Sequence, residues 1–451
     1  MQTAPRIVVI DDKPDHLTAI VETFNSMGTA CSAICYDAAT GVPPGRLRGV
    51  RALFLDLHLL DGAPTSANEK HFGTLAEILQ NGIDPDGGPY VLVLWTENPE
   101  KFDNFRQFLE ERLFNGAPHT RPLSFVALNK TDFISPTTGK PQTGEKLVQA
   151  VKDVTEGNPQ LNALLAWERD VMAAAGSTLS AILNLVPPEA RTAEAGSDPL
   201  NAILSLLARE QVGQVNVNND VRSAITTVLA PILADRIMNR SPAEGAEELW
   251  KAAVTRHQEK GLEPSPDQAA AINRMLHLSS GTTEQLLSTD WGAVVDFPKD
   301  ELTEEGFKHR FGVGLGQMLG GEFLIEKKFR DAVSPVLVRV GAACDHAQNS
   351  TGPLPFLFGL IRPAGAERKK RDDGTEFPLK ASVWISPLLS DDETGVPFVI
   401  EVNARFPFVM NRDDAAALKV RFRLREQLLV HLLNHAGSYQ VRPGIVRLLP
   451  S

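Results

Sequence analysis

Apolar residues arrive in short blocks along the first third of this chain, and each block ends on a polar residue. The run over residues 6–10 carries Ile7, Val8, Val9 and Ile10, a continuous apolar stretch rich in β-branched side chains, the pattern of a strand covered on both faces. From Pro14 the period changes to three and four residues through Leu17, Ile20, Val21 and Phe24, which predicts a helix stopped near Gly28. Further strands are predicted at Ala30 to Cys35, Ala52 to Leu55, Val91 to Leu94 and Phe125 to Leu128, with a Pro/Gly loop around Pro43 to Gly45 and helices near Leu75 to Leu79 and Phe102 to Leu113. Strands alternating with helices imply a doubly wound α/β domain on a parallel sheet, over residues 1–145.

Beyond a Pro/Thr/Gly/Lys-rich stretch at 136–144, read as a linker, the texture becomes helical. Leu161, Leu164, Leu165, Val171, Met172, Ala175, Leu179, Ile182, Leu183 and Val186 trace an apolar stripe that stops at Pro187-Pro188. With later helical stretches it outlines a helical module over 150–285, whose stripes read as internal core, with a homodimer face as the alternative. From 286 to 451 short β-branched runs between turns predict a β-rich domain, a small antiparallel sheet or barrel, with a barrel-like form closed by a helix from about Leu418 to Ala436 as the preferred architecture.

At 451 residues the chain is long enough for two to four domains, and 43% hydrophobic with 22% charged residues excludes a disordered or membrane-spanning character. The net charge of -11 argues against non-specific nucleic-acid or anionic-membrane binding. Three cysteines cannot build a disulfide framework, and no secretory signal is visible, so a reduced cytoplasm is expected.

The polar residues at the strand ends carry the chemistry. Asp11 and Asp12 follow the first strand, Asp56 the third, Thr96 the fourth and Lys130 the fifth, and in open parallel sheets functional groups gather beyond the carboxyl ends of the strands. Three carboxylates crowded together repel, which a hard cation such as magnesium relieves through oxygen ligands. A carboxylate can serve as nucleophile, a lysine supplies a movable positive charge and a threonine a hydroxyl donor.

These five positions resemble the phosphoacceptor site of response-regulator receiver domains, over roughly residues 5–150. The resemblance implies a flavodoxin-like receiver in which Asp11, Asp12 and Asp56 hold Mg2+, Asp56 accepts a phosphoryl group from a histidine kinase or other phosphodonor, and Thr96 and Lys130 contact the phosphate. The chain departs from the family where Asp56-Leu-His-Leu-Leu-Asp-Gly62 lacks a proline and is shortened, where Thr131 replaces the proline after the lysine, and where the spacings from Asp56 to Thr96 and Thr96 to Lys130 look expanded. An atypical receiver controlling an output or partner-binding domain is the leading expectation, and a pseudo-receiver serving only as an interaction module is the alternative.

Weaker motifs are weighed against ordinary structural roles. Cys344-Asp-His346 offers a thiolate and an imidazole for a cysteine-dependent hydrolase, but sequence adjacency does not make a nucleophile–base pair. Arg421, Arg423 and Arg425, with Lys419 nearby, offer a phosphate- or nucleic-acid-binding edge but read first as a solvated helix face or partners for the acidic excess, and Arg368-Lys-Lys-Arg371 reads as a surface loop neutralised by Asp372 and Asp373. Asp61-Gly62 reads as a turn.

Overall fold

The structure is a computed structural model that describes residues 6–26, 28, 30–60, 67–134, 157–191, 197–280, 285–348 and 352–442, with a few positions between 145 and 153. Asp61-Gly62 and the stretch 136–144 lie outside the described residues. The chain divides into two compact units, Met1–Ala175 with Ile237–Gln258, and Gly176–Arg236 with Glu259–Ser451, so helices of the 150–285 stretch belong to both.

In the first unit, strands β1 (Ile7–Asp11), β2 (Ser32–Cys35), β3 (Ala52–Leu55), β4 (Val91–Thr96) and β5 (Ser124–Asn129) form a wholly parallel sheet in the order β2-β1-β3-β4-β5. That order is the flavodoxin-like doubly wound arrangement, with its switch point between β1 and β3. The period of two along each strand splits the core into two layers. Val8, Ile10, Leu53, Leu55, Leu92 and Leu94 pack with Phe72, Leu75, Leu79, Phe105 and Leu109 from helices α2 (Asn68–Gly82) and α3 (Phe102–Leu109). Val9, Phe54, Val93 and Trp95 pack on the opposite face with Leu17, Ile20 and Phe24 of α1 (Pro14–Ser26), and with Leu161 and Leu165 of the long helix Pro159–Leu183.

The elements fall where the apolar periods place them, with local differences. Gly28 takes a left-handed φ of 69° just past α1, as a helix stop requires. Helix α3 runs on as a π-helical turn over Glu110–Phe114. Residues 36–51 connect β2 to β3 through turns without a helix, a stretch in which Pro43 and Pro44 oppose helical hydrogen bonding.

The second unit carries an antiparallel sheet of eight strands: β6 (Leu278–Ser279), β7 (Ala293–Asp296), β8 (Ser334–Arg339), β9 (Leu354–Pro363), β10 (Val383–Ile385), β11 (Leu389–Ser390), β12 (Pro397–Met410) and β13 (Val420–Leu424). The order is β10-β12-β9-β8-β7-β13-β6, with β11 also on β12. Among the described residues β6 and β10, at the two ends, each pair on one side only, so the ladder is open and the expected barrel does not close.

The expected helix from Leu418 also begins later. Val420-Arg-Phe-Arg-Leu424 alternates with period two and pairs with β7 and β6, while the helix spans Glu426–Gln440 and buries Leu428, Leu429 and Leu432 against one sheet face. Arg421 therefore lies on a strand, where it binds Asp296 at 2.5 Å, rather than on a helix face. Arg368 is not a surface residue either. It is 8% exposed and donates to the buried carboxylate of Glu401 at 2.7 Å, which Arg362 also binds.

Candidate functional site

Parallel register brings the strand ends of the first unit to one level. Ile10 lies beside Leu55 and the Asp56 N–H donates to the Ile10 carbonyl at 3.0 Å, so Asp11 and Asp56 leave adjacent strands together. Thr96 lies opposite Asn129, which places Lys130 directly beyond it. Leu57 and Leu59, which follow Asp56, turn into the core and hold the segment after β3 against the sheet.

Carboxylate oxygens of Asp11, Asp12 and Asp56 lie within 4.8 Å of one another. Lys130 closes the group from the far side. Its Nζ stands 2.7 Å from Asp11 Oδ2 and 2.8 Å from Asp56 Oδ2, with the lysine and both acids almost wholly buried. Sequence reasoning assigned Lys130 to phosphate alone, whereas here it clamps two of the three acids. Thr96 is fully buried and its Oγ1 accepts the Asn98 N–H at 3.1 Å, leaving its own hydroxyl proton to be donated elsewhere.

The electrostatics divide the three acids. Burial works to raise Asp11, but His16, whose Nδ1 is 3.6 Å from Asp11 Oδ2, and Lys130 outweigh it and hold the carboxyl below its ordinary value. Burial raises Asp56, Lys130 pulls against it and Asp11 adds to it, with a net upward shift. Asp12, at the rim, is pushed up to about 6 by burial and by the charges of Asp56 and Asp11. Burial alone would depress Lys130, yet Asp56 and Asp11 more than reverse it, so the lysine is held as a cation. Three acids against one lysine leave an acidic excess.

The donor set fits magnesium in kind. It is all oxygen, and Asp12 Oδ1 is buried without a hydrogen-bond partner, the state of a group awaiting a cation or water. Asp11, Asp12 and Asp56 would hold the ion, with one or two carboxylates and waters being the oxygen set that magnesium takes. Zinc is the poorer match, since no cysteine or histidine belongs to this group.

Four residues around the cluster were missed in the sequence. His16 lies in the first turn of α1. His58 and His71 meet edge to face with ring centroids 4.7 Å apart, and Lys101 Nζ reaches His58 at 3.3 Å. The position of His58, two residues after Asp56, was the available signal. The other departure has a local explanation: the Thr131 N–H donates to Asn129 Oδ1 at 3.2 Å and caps the short 3-10 turn Lys130–Asp132, a bond that a proline could not make.

Cys344 and His346 do not come together. Both sit on the short helix Ala343–Ala347, two residues apart and therefore on different faces, with no hydrogen bond between them. Among the described residues no helix is long and apolar enough to cross a membrane.

No protein-family model matches the chain, and no curated protein matches it. Among solved structures the chain is similar to full-length FixJ from B. japonicum, at 13% identity over 56% of this chain and 97% of that one, with a TM-score of 0.21. A likeness that slight carries no argument. The five-stranded parallel sheet in flavodoxin-like order, with a buried acidic cluster at its carboxyl edge, is consistent with a receiver fold on its own geometry.

Proposed function

We propose that the first unit is an atypical receiver domain phosphorylated on Asp56. The observation that carries this reading is the convergence of Asp11, Asp12, Asp56 and Lys130 from three strand ends into one buried cluster. Asp11, Asp12 and Asp56 would hold Mg2+, which when bound supplies positive charge to offset that of the phosphoryl oxygens. A carboxylate oxygen of Asp56 forms the new bond to phosphorus, the bond from phosphorus to the donor breaks, and its electron pair leaves with the donor. As the acyl phosphate forms, Lys130 transfers its contact from the carboxylate to a phosphoryl oxygen and Thr96 donates its hydroxyl proton to another. Moving a buried lysine and threonine converts a local charge event into a change of surface that the rest of the chain can read.

The phosphodonor would be a histidine kinase or a related phosphoprotein in the cytoplasm, and helical segments of 150–285 would carry the signal to the antiparallel-sheet unit, with a homodimer as its assembled form. A second reading, an interaction module that is never phosphorylated, is favoured by one observation: Lys130 already neutralises part of the charge on Asp11 and Asp56. Calorimetric titration with Mg2+, followed by incubation with a small phosphodonor and intact-mass measurement, separates the two. Magnesium binding lost in Asp12→Asn and a phosphoryl adduct lost in Asp56→Asn support the receiver. Absence of any adduct in the unaltered protein leaves the interaction module.

A further inference from the structure

Three arginines and one glutamate meet at the edge of the first unit's sheet that lies opposite the acidic cluster. Arg6 and Arg51 stand just before β1 and β3, and the Arg51 and Ala52 N–H groups both donate to the Arg6 carbonyl, at 2.8 and 3.1 Å, which holds the two side by side. The helix Pro159–Leu183 supplies Glu168. Its Oε2 accepts from Arg51 Nε at 3.2 Å, and its Oε1 accepts from Arg51 Nη2 at 2.9 Å and from Arg6 Nη1. Arg51 Nη1 donates to the Val50 and Gly87 carbonyls, so this arginine is fully engaged. Burial works to raise Glu168, but Arg51 and Arg6 outweigh it, and the group stays a carboxylate.

The third arginine is not engaged. Among the described residues the exposed Arg169 guanidinium has no hydrogen bond or ion pair, and Arg6, with 44% of its side chain exposed, meets Glu168 through Nη1 and keeps its other donors. Leu161, Leu165, Arg169 and Met172 recur at spacings of four, four and three residues and so share one face of their helix. With Ile7 and Ala52, the first residues of β1 and β3, and Leu249 of the helix Ala246–Ala253, they line a groove of about 760 Å³ whose walls belong entirely to the first unit. Its floor is apolar, and Met172 is left 57% exposed at its side. Its rim carries three arginines against one acid that two of them already hold, a local positive excess on a chain whose net charge is -11.

We propose that this groove binds a small amphipathic carboxylate, an aliphatic acid whose tail covers the leucines and Met172 and whose charged end pairs with Arg169. The volume lies within the roughly 300–1,000 Å³ of small-molecule pockets, which are mainly apolar with a few placed polar groups. A guanidinium binds a carboxylate through charge-assisted hydrogen bonds, and each methylene buried adds roughly fourfold in affinity. The site lies at the starts of β1 and β3, whose other ends carry Asp11 and Asp56, and it needs neither magnesium nor a phosphoryl group.

The test is calorimetric titration of the full chain with octanoate, and in separate arms with acetate, which has the charge without the tail, and 1-octanol, which has the tail without the charge. Octanoate is expected to bind more tightly than either. Its affinity is expected to fall about tenfold in Arg169→Gln, as loss of a charge-assisted hydrogen bond requires, and by at least as much in Met172→Glu, which sets a negative charge at the groove. Both positions are exposed, and urea unfolding checks that each variant stays folded. No octanoate binding, an affinity unchanged in Arg169→Gln, or acetate or octanol binding as tightly as octanoate overturns the site. So does a dimer in sedimentation velocity that Met172→Glu disperses, which would give the groove to a second copy of the chain.

Discussion

Replacing Lys130 with methionine removes the charge from the centre of the acidic cluster while keeping most of the apolar stem. The lysine stands 2.7 Å from Asp11 and 2.8 Å from Asp56, with side-chain exposures of 3%, 0% and 6% for the three residues. Breaking a buried ion pair by removing one partner costs about 3–5 kcal/mol. The variant has one escape, protonation of a carboxyl, whose cost follows from the ordinary aspartate value of 3.8. Near pH 7 that costs about 4.4 kcal/mol and near pH 5 only about 1.6 kcal/mol, at about 1.36 kcal/mol per unit.

The folded carboxyls of the variant have pKa values raised above the unfolded value, so the protein loses stability as pH rises through that window. Urea unfolding of the full chain without divalent cations, followed by tryptophan fluorescence, therefore gives a predicted loss of about 3–4 kcal/mol near pH 7 that shrinks to about 1.6 kcal/mol or less near pH 5. Trp95, fully buried one residue before Thr96 and stacked on Phe133, reports on this unit. Equal destabilisation at both pH values would show that Lys130 contributes packing rather than charge, and would refute the reasoning.

Further outcomes follow from single groups. Because the Asp12 carboxyl is raised to about 6, its own contribution to stability is present below the ordinary value of 3.8 and is lost as pH rises towards 6 in metal-free protein. Magnesium affinity runs the opposite way and falls up to about tenfold per pH unit below 6, which titrations at several pH values measure. Thr131→Pro removes the N–H that caps the Lys130 turn and disfavours helical backbone at Lys130, so it should cost about 1 kcal/mol or more and weaken magnesium binding, read by melting and calorimetry. Glu401→Ala removes the buried carboxylate that Arg362 and Arg368 share, leaving Arg368 only the half-exposed Glu376 at 3.5 Å, and should cost about 3–5 kcal/mol in the second unit without changing magnesium affinity in the first.

The parallel sheet was legible because its signal is local: apolar blocks at β1, β3 and β4 with a polar residue at each end need no partner to be recognised. Asp11, Asp12, Asp56 and Lys130 converge because those ends are level in the register, which the order of the blocks already implied. The double contact of Lys130 was not legible, since it depends on distances between three strand ends. Nor was the burial of Arg368, whose partner Glu401 is 33 residues away in sequence. The terminal strand at Val420–Leu424 was merged with the helix after it because the alternation of Arg with apolar residues also satisfies a helical face over so short a span. The choice between an open antiparallel sheet and a barrel lay further out of reach, because closure is decided by the pairing of β6 and β10 and not by any one segment's composition.

The central claim is that Asp56 accepts a phosphoryl group. Incubation of the full chain with Mg2+ and a small phosphodonor, borohydride reduction of the acyl phosphate and mass mapping of the peptides test it at a single residue. The account predicts homoserine at position 56, dependent on magnesium and lost in Asp12→Asn. Reduction at another carboxylate, or none at all in protein shown to bind magnesium, would contradict it.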